Sequence, residues 1–109
     1  MKRGDVVMIV AVGDLGKPRP AIVVQADDLG DETKTIIVCP MSSEIGEAAG
    51  IRPSVDPTPS NGLRVRSQIM TDKVIALSRH RIRGELGQLD EPAQDELDRA
   101  LLIVLGLAR

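Results

Sequence analysis

Three short runs of β-branched and aliphatic residues lie near the start of the chain, and their connections limit the fold more than any other feature. The runs at residues 6–12, 21–26 and 35–39 are typical of strands. The segment GDLGKPRP separates the first two, and its two glycines and two prolines interrupt regular structure. The turn DDLGDETK, with one glycine, precedes the third. A parallel strand pair needs a crossover of about a dozen residues or more, so these connections predict antiparallel pairing.

The rest of the chain predicts further short strands and one terminal helix. Asp90 suits a helix N-cap and Pro92 suits the first turn. The pattern predicts one domain, residues 1–109, that is mainly β (α+β), with a small barrel or strongly bent sheet and a C-terminal helix. The further strands are expected at residues 63–71, 74–77 and 84–89, after a brief extended piece at 52–56.

The predicted helix carries more apolar residues than one stripe requires. Apolar side chains recur at helical spacing, and others widen the surface beyond that stripe. Such a helix lies deep against the sheet or contributes to a contact between subunits, and we expect a homodimer. The residues of the stripe are Leu97, Leu101, Val104 and Ala108, and those beside it are Leu102, Ile103 and Leu105.

Composition limits how this chain could hold a nucleic acid. It has no Phe, Tyr or Trp, so it lacks the aromatic platform on which single-stranded nucleic acids commonly stack. Its net charge of −2 argues against a general polyanion-binding surface. Basic residues are nevertheless concentrated between positions 64 and 83. Any bound RNA would therefore depend on local charge, hydrogen bonds and aliphatic contacts.

The sparing use of cysteine and histidine argues against a metal centre. One Cys and one His give no zinc-ligand spacing, and we expect no metal and no cofactor. Cys39 is expected to be a buried, inert thiol. His80 lies between two arginines and is expected to be a surface residue. The single cysteine and the lack of a membrane-length apolar run or signal peptide predict a cytoplasmic protein.

Three segments of the chain, taken in order, form a recognisable set of motifs. The first pairs RGDVV at the start of the chain with RPAIVV after the first loop. The second is VCPMS, at the end of the third predicted strand. The third runs from SQIMTDKV through RI to GQLD and the helix. In this order the segments resemble the MazF/PemK family of toxins, and the resemblance spans nearly the whole chain.

This resemblance implies a fold, an activity and partners. The implied fold is a small SH3-like β-barrel with a C-terminal helix, usually a homodimer. The implied activity is metal-independent endoribonuclease cleavage of single-stranded RNA by the toxin of a bacterial type II toxin–antitoxin system. A cognate antitoxin would neutralise the toxin by occupying the RNA groove.

The resemblance also assigns candidate site residues. Arg19 occupies the arginine of the RP motif, and Ser42 occupies the Thr or Ser after the third strand. A guanidinium offers several donors that match phosphate geometry, and Ser42 could donate to a phosphate oxygen or cap a short helical turn at 43–49. The candidate catalytic residues are Arg19 and Ser42, and the candidate RNA-binding residues are Lys17, Ser43, Arg64, Arg66, Asp72, Lys73 and Arg79.

The chain departs from the family pattern at two places. Its first loop is shorter than usual, and Asp14 is the nearest counterpart of an acidic residue that some members carry there. Lys73 stands where the family usually has Gln. We expect Asp72 to accept a hydrogen bond from a neighbouring cation among Lys73, Arg64, Arg66 and Arg79.

Two other classes of protein compete with the ribonuclease hypothesis. One is a non-catalytic toxin of the same fold that binds and poisons DNA gyrase, as CcdB-like proteins do. The other is a plain SH3-like interaction module. The Arg19-Pro20 motif and Ser42 favour the ribonuclease, while the acidic balance and the lack of aromatic residues mildly favour a protein-binding role.

Overall fold

The computed structural model describes residues 1–11, 13, 17–46 and 50–108. Seven strands, three 3-10 turns and one helix follow one another along this part of the chain. The 3-10 turns are Asp27–Leu29, Thr71–Lys73 and Arg79–Arg81. The strands and helix are β1 (Asp5–Ile9), β2 (Arg19–Val23), β3 (Thr35–Ser42), β4 (Ser54–Val55), β5 (Ser67–Ile69), β6 (Ile75–Ser78), β7 (Ile82–Gln88) and α1 (Glu91–Val104).

The strands form one bent sheet in which every described strand pair is antiparallel. The order is β4-β5-β3-β2-β1-β7, and β6 pairs with the first half of β3. The 3-10 turn Arg79–Arg81 connects β6 to β7, and the amide of Val10 donates to the carbonyl of Arg81 at 3.0 Å. The sheet thus curls into a small barrel, which confirms the expected mainly β (α+β) class with an SH3-like barrel and a C-terminal helix.

Both faces of the central strands are buried, because the barrel encloses one face and α1 covers part of the other. Neighbours such as Val6 and Val7 therefore enter different cores. The barrel core contains Val7, Ile9, Ala21, Val23, Ile36, Val38 and Leu77. The helix-side core contains Val6, Ile22, Cys39, Met41, Val55, Leu63, Ile69, Leu89, Leu97 and Leu101.

The predicted end of the third strand at residue 39 is wrong, because β3 continues through Pro40 to Ser42. Residues 35–38 pair with β6 and residues 41–42 pair with β5. Pro40 lies between these two stretches, so its missing amide proton interrupts neither ladder. Its carbonyl accepts from the amide of Met70 at 2.9 Å.

The largest error concerns the strand expected at 63–71, of which only Ser67–Ile69 is extended in the sheet. The side chain of Asn61, which is 3% exposed, folds the preceding segment into a turn. Its Oδ1 accepts from the amides of Thr58 and Leu63, and its Nδ2 donates to the carbonyl of Asp56. These side-chain bonds compete with strand pairing. The other predicted strands differ from β1, β2, β4, β6 and β7 by a few residues at their ends.

The C-terminal helix begins and packs as expected but ends earlier. Asp90 accepts from the amide of Ala93 at 2.9 Å and caps it. Leu97 is fully buried. The helix ends at Val104, so Ala108 lies outside it, because Gly106 adopts a φ of 73° that reverses the chain.

The RGD segment at the start of the chain has a structural role. The Arg3 guanidinium donates to the carbonyl of Val24 at 3.1 Å and forms an ion pair with Asp98 of α1 at 2.6 Å. Asp5 is buried and accepts from the amide of Lys2 and from the side chain of Gln88. These bonds join β1, β2, β7 and the helix at one end of the sheet.

Cys39 is fully buried in the helix-side core, as predicted. Burial raises the pKa of its thiol to about 12, while the charge of Arg3 opposes this and that of Asp72 reinforces it. The thiol therefore stays protonated at neutral pH and is a poor nucleophile. Among the described residues, no helix is both long and apolar enough to span a membrane.

Candidate functional site

A groove of about 740 Å³ lies beside the start of β2, the end of β3 and the short strand β5. It combines cations and hydroxyl groups with apolar side chains, so it offers contacts for both phosphates and nucleobases. The described residues that line it are Pro18, Arg19, Pro20, Met41, Ser42, Ser43, Glu44, Ile45, Gly46, Arg52, Val65, Ser67, Met70 and Lys73.

Arg19 and Ser42 lie beyond the same end of the β2–β3 ladder. The last pair of this ladder is Ala21 with Pro40. Arg19, the first residue of β2, lies two residues before Ala21, and Ser42, the last residue of β3, lies two residues after Pro40. Because the two strands are antiparallel, both residues follow the same end of the ladder, and both line the groove although they are more than twenty positions apart in sequence.

Arg19 is half-buried and lies at a rigid point of the chain. Pro18 and Pro20 flank it, and each fixes its own backbone φ. In the β1–β2 ladder, Arg19 pairs with Ile9 of β1, which belongs to the barrel core. The base of the side chain is thereby anchored, while the residue lines the groove.

The hydroxyl of Ser42 also organises the next turn. Its Oγ accepts from the amide of Glu44 at 3.1 Å. The hydroxyl proton can still be donated to a ligand, because a serine oxygen accepts and donates at once. Residues 43–46 are not helical, so this part of the expected turn at 43–49 is absent, and residues 47–49 lie outside the described residues.

The loop that forms one wall of the groove is held by two hydrogen bonds from a buried amide. Gln68 is 1% exposed and contacts the backbone of Gly46 twice. Its Oε1 accepts from the Gly46 amide at 3.1 Å, and its Nε2 donates to the Gly46 carbonyl at 3.2 Å. After this loop in the chain, the carbonyl of Ile51 accepts a hydrogen bond from the hydroxyl of Thr71.

A bidentate ion pair lies at the edge of the groove. Nε and Nη2 of Arg52 each lie 2.8 Å from a carboxylate oxygen of Asp72. This hydrogen bonding lowers the pKa of Asp72 and raises that of Arg52. Asp72 thus accepts from a cation, but the predicted partner is wrong. The partner is Arg52 and not one of the four cations considered from the sequence.

The structure gathers only some of the candidate residues. Arg19, Ser42, Ser43 and Lys73 line the groove. Lys17 is exposed and immediately precedes Pro18, which lines the groove. Asp72 is bound to Arg52 at its edge.

Three predicted RNA-binding arginines lie outside the described lining of the groove. Arg64 is exposed. Arg66 is exposed and lies 3.6 Å from Asp56. Arg79 donates to the carbonyls of Thr33 and Gly30 and to the Thr33 hydroxyl. We assign Arg79 a structural role, because these bonds fix the turn before β3.

Sequence reasoning missed several residues of the groove. Arg52 comes from the proline- and glycine-rich segment, and Glu44 and Ile45 follow the second motif. Val65 belongs to a segment that was expected to be a strand. Only the proximity of Glu44 and Ile45 to Ser42 offered a signal in the sequence.

His80 is exposed in the 3-10 turn between β6 and β7 and does not line the groove, as expected. Among the described residues, no group of three or more His, Cys, Asp and Glu side chains is placed to hold a metal ion. Asp14, the candidate acid of the first loop, lies outside the described residues.

Known proteins resemble this chain in sequence and in fold. It is 38% identical to a probable endoribonuclease MazF of Mycolicibacterium smegmatis, with 99% of each chain covered. In structure it is similar to the Mycobacterium tuberculosis toxin MazF-mt6, with a TM-score of 0.81, 16% identity, and coverage of 96% of this chain and 99% of that one. It is also similar to an endoribonuclease in complex with its cognate antitoxin from Mycobacterial species, with a TM-score of 0.80, 18% identity, and 100% and 98% coverage.

A family model agrees with these relatives. The model of PemK-like, MazF-like toxins of type II toxin–antitoxin systems matches residues 2–105. The match includes the barrel, the groove and α1. The chain therefore belongs to the PemK-like, MazF-like family of type II toxin–antitoxin toxins.

Proposed function

We propose that this toxin is an endoribonuclease that cleaves single-stranded RNA without a metal ion and is neutralised by a cognate antitoxin. The observation that carries the proposal is that Arg19, Ser42 and Lys73 line one groove. The full-length relative described as a probable endoribonuclease supports the same activity. The protein would act in the cytoplasm, where its RNA substrate is found.

In the proposed reaction, the main contribution of the protein is to stabilise the negative charge that develops on the phosphoryl oxygens. The RNA 2′-hydroxyl gives its proton to solvent, and its oxygen forms a bond to the adjacent phosphorus while negative charge builds on the phosphoryl oxygens. The bond to the 5′-oxygen then breaks, and this oxygen takes a proton from solvent, which leaves a 2′,3′-cyclic phosphate and a 5′-hydroxyl. The Arg19 guanidinium would donate to these oxygens from an anchored position, and such preorganised donors are often the largest contribution to catalysis. Ser42 would donate one further hydrogen bond. Lys73 and Ser43 would hold flanking phosphates.

The antitoxin would occupy the same groove. One structural relative is an endoribonuclease bound to its cognate antitoxin, and another is MazE-MazF from Deinococcus radiodurans, with a TM-score of 0.76, 18% identity and coverage of 99% and 98%. An antitoxin segment with acidic and aliphatic side chains would match the cations and apolar wall of the groove. The relatives reported above are MazF toxins and endoribonucleases, which gives no support to gyrase poisoning.

An assay in EDTA tests the activity. We expect the purified protein to cut a long single-stranded RNA at defined sites in excess EDTA, because the proposed site uses only protein groups. The Arg19→Ala variant, purified in the same way, controls for contaminating ribonucleases. Intact RNA, or cleavage that EDTA abolishes and Mg²⁺ restores, would contradict the proposal.

We also propose a homodimer, because the end of α1 and the residues that follow it leave apolar side chains uncovered. Ile103 is 49% exposed, Leu105 56% and Leu107 68%. Contiguous exposed apolar surface of this kind commonly marks a protein interface. We expect light scattering to give the mass of a dimer, and Ile103→Glu to shift it towards the monomer. Leu29→Glu, at an exposed leucine in the 3-10 turn Asp27–Leu29, is the matched control. A monomeric wild type would refute the dimer.

A further inference from the structure

The groove contains one carboxylate among the described residues that line it, and the proposed reaction does not use it. Glu44 shares the groove with the cations Arg19, Arg52 and Lys73. A carboxylate repels phosphates, so it is unfavourable in an RNA groove unless it faces a different part of the nucleotide. The remaining part that carries hydrogen-bond donors, besides the ribose hydroxyls, is the nucleobase.

Glu44 lies on a loop that is fixed on both sides. Its own amide donates to Oγ of Ser42 at 3.1 Å. Two residues later, Gln68 holds both the amide and the carbonyl of Gly46. Gln68 is almost fully buried, so it cannot release this loop without losing two shielded hydrogen bonds. The carboxylate therefore extends from a preorganised backbone, as recognition of a specific base requires.

The surface beside Glu44 is apolar and exposed. Ile45 is 49% exposed and Val65 is 55% exposed, and both line the groove. The chain has no Phe, Tyr or Trp on which a base could stack, and its one histidine, His80, does not line the groove. A base in this groove would therefore pack on aliphatic side chains, with its polar edge directed towards a hydrogen-bonding group such as Glu44.

We propose that Glu44 selects the RNA sequence by accepting hydrogen bonds from the Watson–Crick edge of a guanine close to the cleaved bond. Guanine presents two adjacent donors on that edge, the ring N1–H and the 2-amino group, and they match the two oxygens of a carboxylate. Uracil presents one N–H between two carbonyl oxygens, which repel a carboxylate. This inference rests on the proposed function and names the substrate class: single-stranded RNA with guanine at one defined position of the cleavage site.

The test is sequencing of cleavage sites in a randomised RNA library. We expect the wild type to prefer guanine and disfavour uracil at one position. Glu44→Gln should lower the guanine-over-uracil preference there by about tenfold to a hundredfold, the discrimination that a bidentate base contact typically provides. Glu85→Gln is the matched control, because Glu85 is an exposed carboxylate on β7 outside the groove lining. Replacing guanine with inosine, which lacks the 2-amino group, should reduce cleavage by the wild type but not by Glu44→Gln.

Two results would overturn the inference: a wild-type profile with no guanine preference, or a Glu44→Gln profile equal to that of the wild type. Failure of the proposed function gives a different result, because the wild type would then leave all RNA intact. In that case RNA bound by each protein is selected from the same library and sequenced. Guanine enrichment by the wild type that Glu44→Gln loses would still support the role of Glu44, and equal profiles would overturn it.

Discussion

Replacing Arg19 with alanine should lower the rate of RNA cleavage by about a hundredfold to a thousandfold, the usual cost of losing one preorganised donor to a developing anion. Arg19→Lys should recover little of this loss, because an ammonium keeps the charge but not the planar set of donors. The rate is measured on a defined RNA oligonucleotide under single-turnover conditions, so that the chemical step is followed.

Variants of Ser42 provide a comparison for the rate loss expected from Arg19→Ala. Ser42→Ala should reduce the rate less than Arg19→Ala, because a neutral donor contributes less than a charged one and Ser43 is adjacent. Ser42→Thr keeps the hydroxyl and should stay active. Arg83→Ala, at an exposed arginine of β7 outside the groove lining, is the matched control for the loss of a positive charge. Each variant must give a wild-type circular dichroism spectrum and bind antitoxin. A folded Arg19→Ala protein that cuts RNA at the wild-type rate would refute the assigned site.

Gly87→Ala should lower the free energy of unfolding by about 3 kcal/mol, at the upper end of the usual cost of overpacking. Gly87 lies in β7, and a Cβ there would collide with the carbonyl of Ser60 and the backbone of Asn61. Backbone atoms cannot turn aside as a flexible side chain can. The added methyl group would therefore push the turn at Ser60 away from β7, where the amide of Gln88 donates to the carbonyl of Ser60 at 2.9 Å.

Gly84→Ala provides the control for Gly87→Ala. Gly84 lies in the same strand, but a Cβ added there meets no atom within 4 Å. Its free energy of unfolding should change by less than about 1 kcal/mol, since only the conformational entropy of the unfolded chain is affected. Both variants are compared with the wild type by urea denaturation. Equal stability of the two variants would show that the close approach at Gly87 does not determine the stability of this region.

Local patterns predicted the fold well wherever the physical cause was local. The antiparallel pairing of the first three strands followed from their short connections, and the start of α1 followed from the capping residue Asp90. Prediction failed where a side chain or a strand partner distant in sequence decided the outcome. The buried Asn61 converted part of an expected strand into a turn, and β3 passed through Pro40 because its partner strand changes there.

The candidate site also contains residues that the sequence predicted and residues that only the structure revealed. The motifs around Arg19 and Ser42 were visible in the sequence, and so was the concentration of arginines after residue 63. The different structural roles of the arginines were not visible in the sequence. Arg79 is used to hold the turn at Thr33, whereas Arg52, which no motif indicated, lines the groove and pairs with Asp72.

The sequence by itself determined a mainly β fold with a C-terminal helix, because strand runs, turns and caps act over a few residues. It also placed an arginine and a serine at the ends of two strands. Only the tertiary structure decided that these two residues share a groove, since both lie beyond the Ala21–Pro40 end of the β2–β3 ladder. It likewise decided that Gln68 fixes the loop of Glu44, because that contact spans 22 positions and depends on β3 and β5 lying side by side.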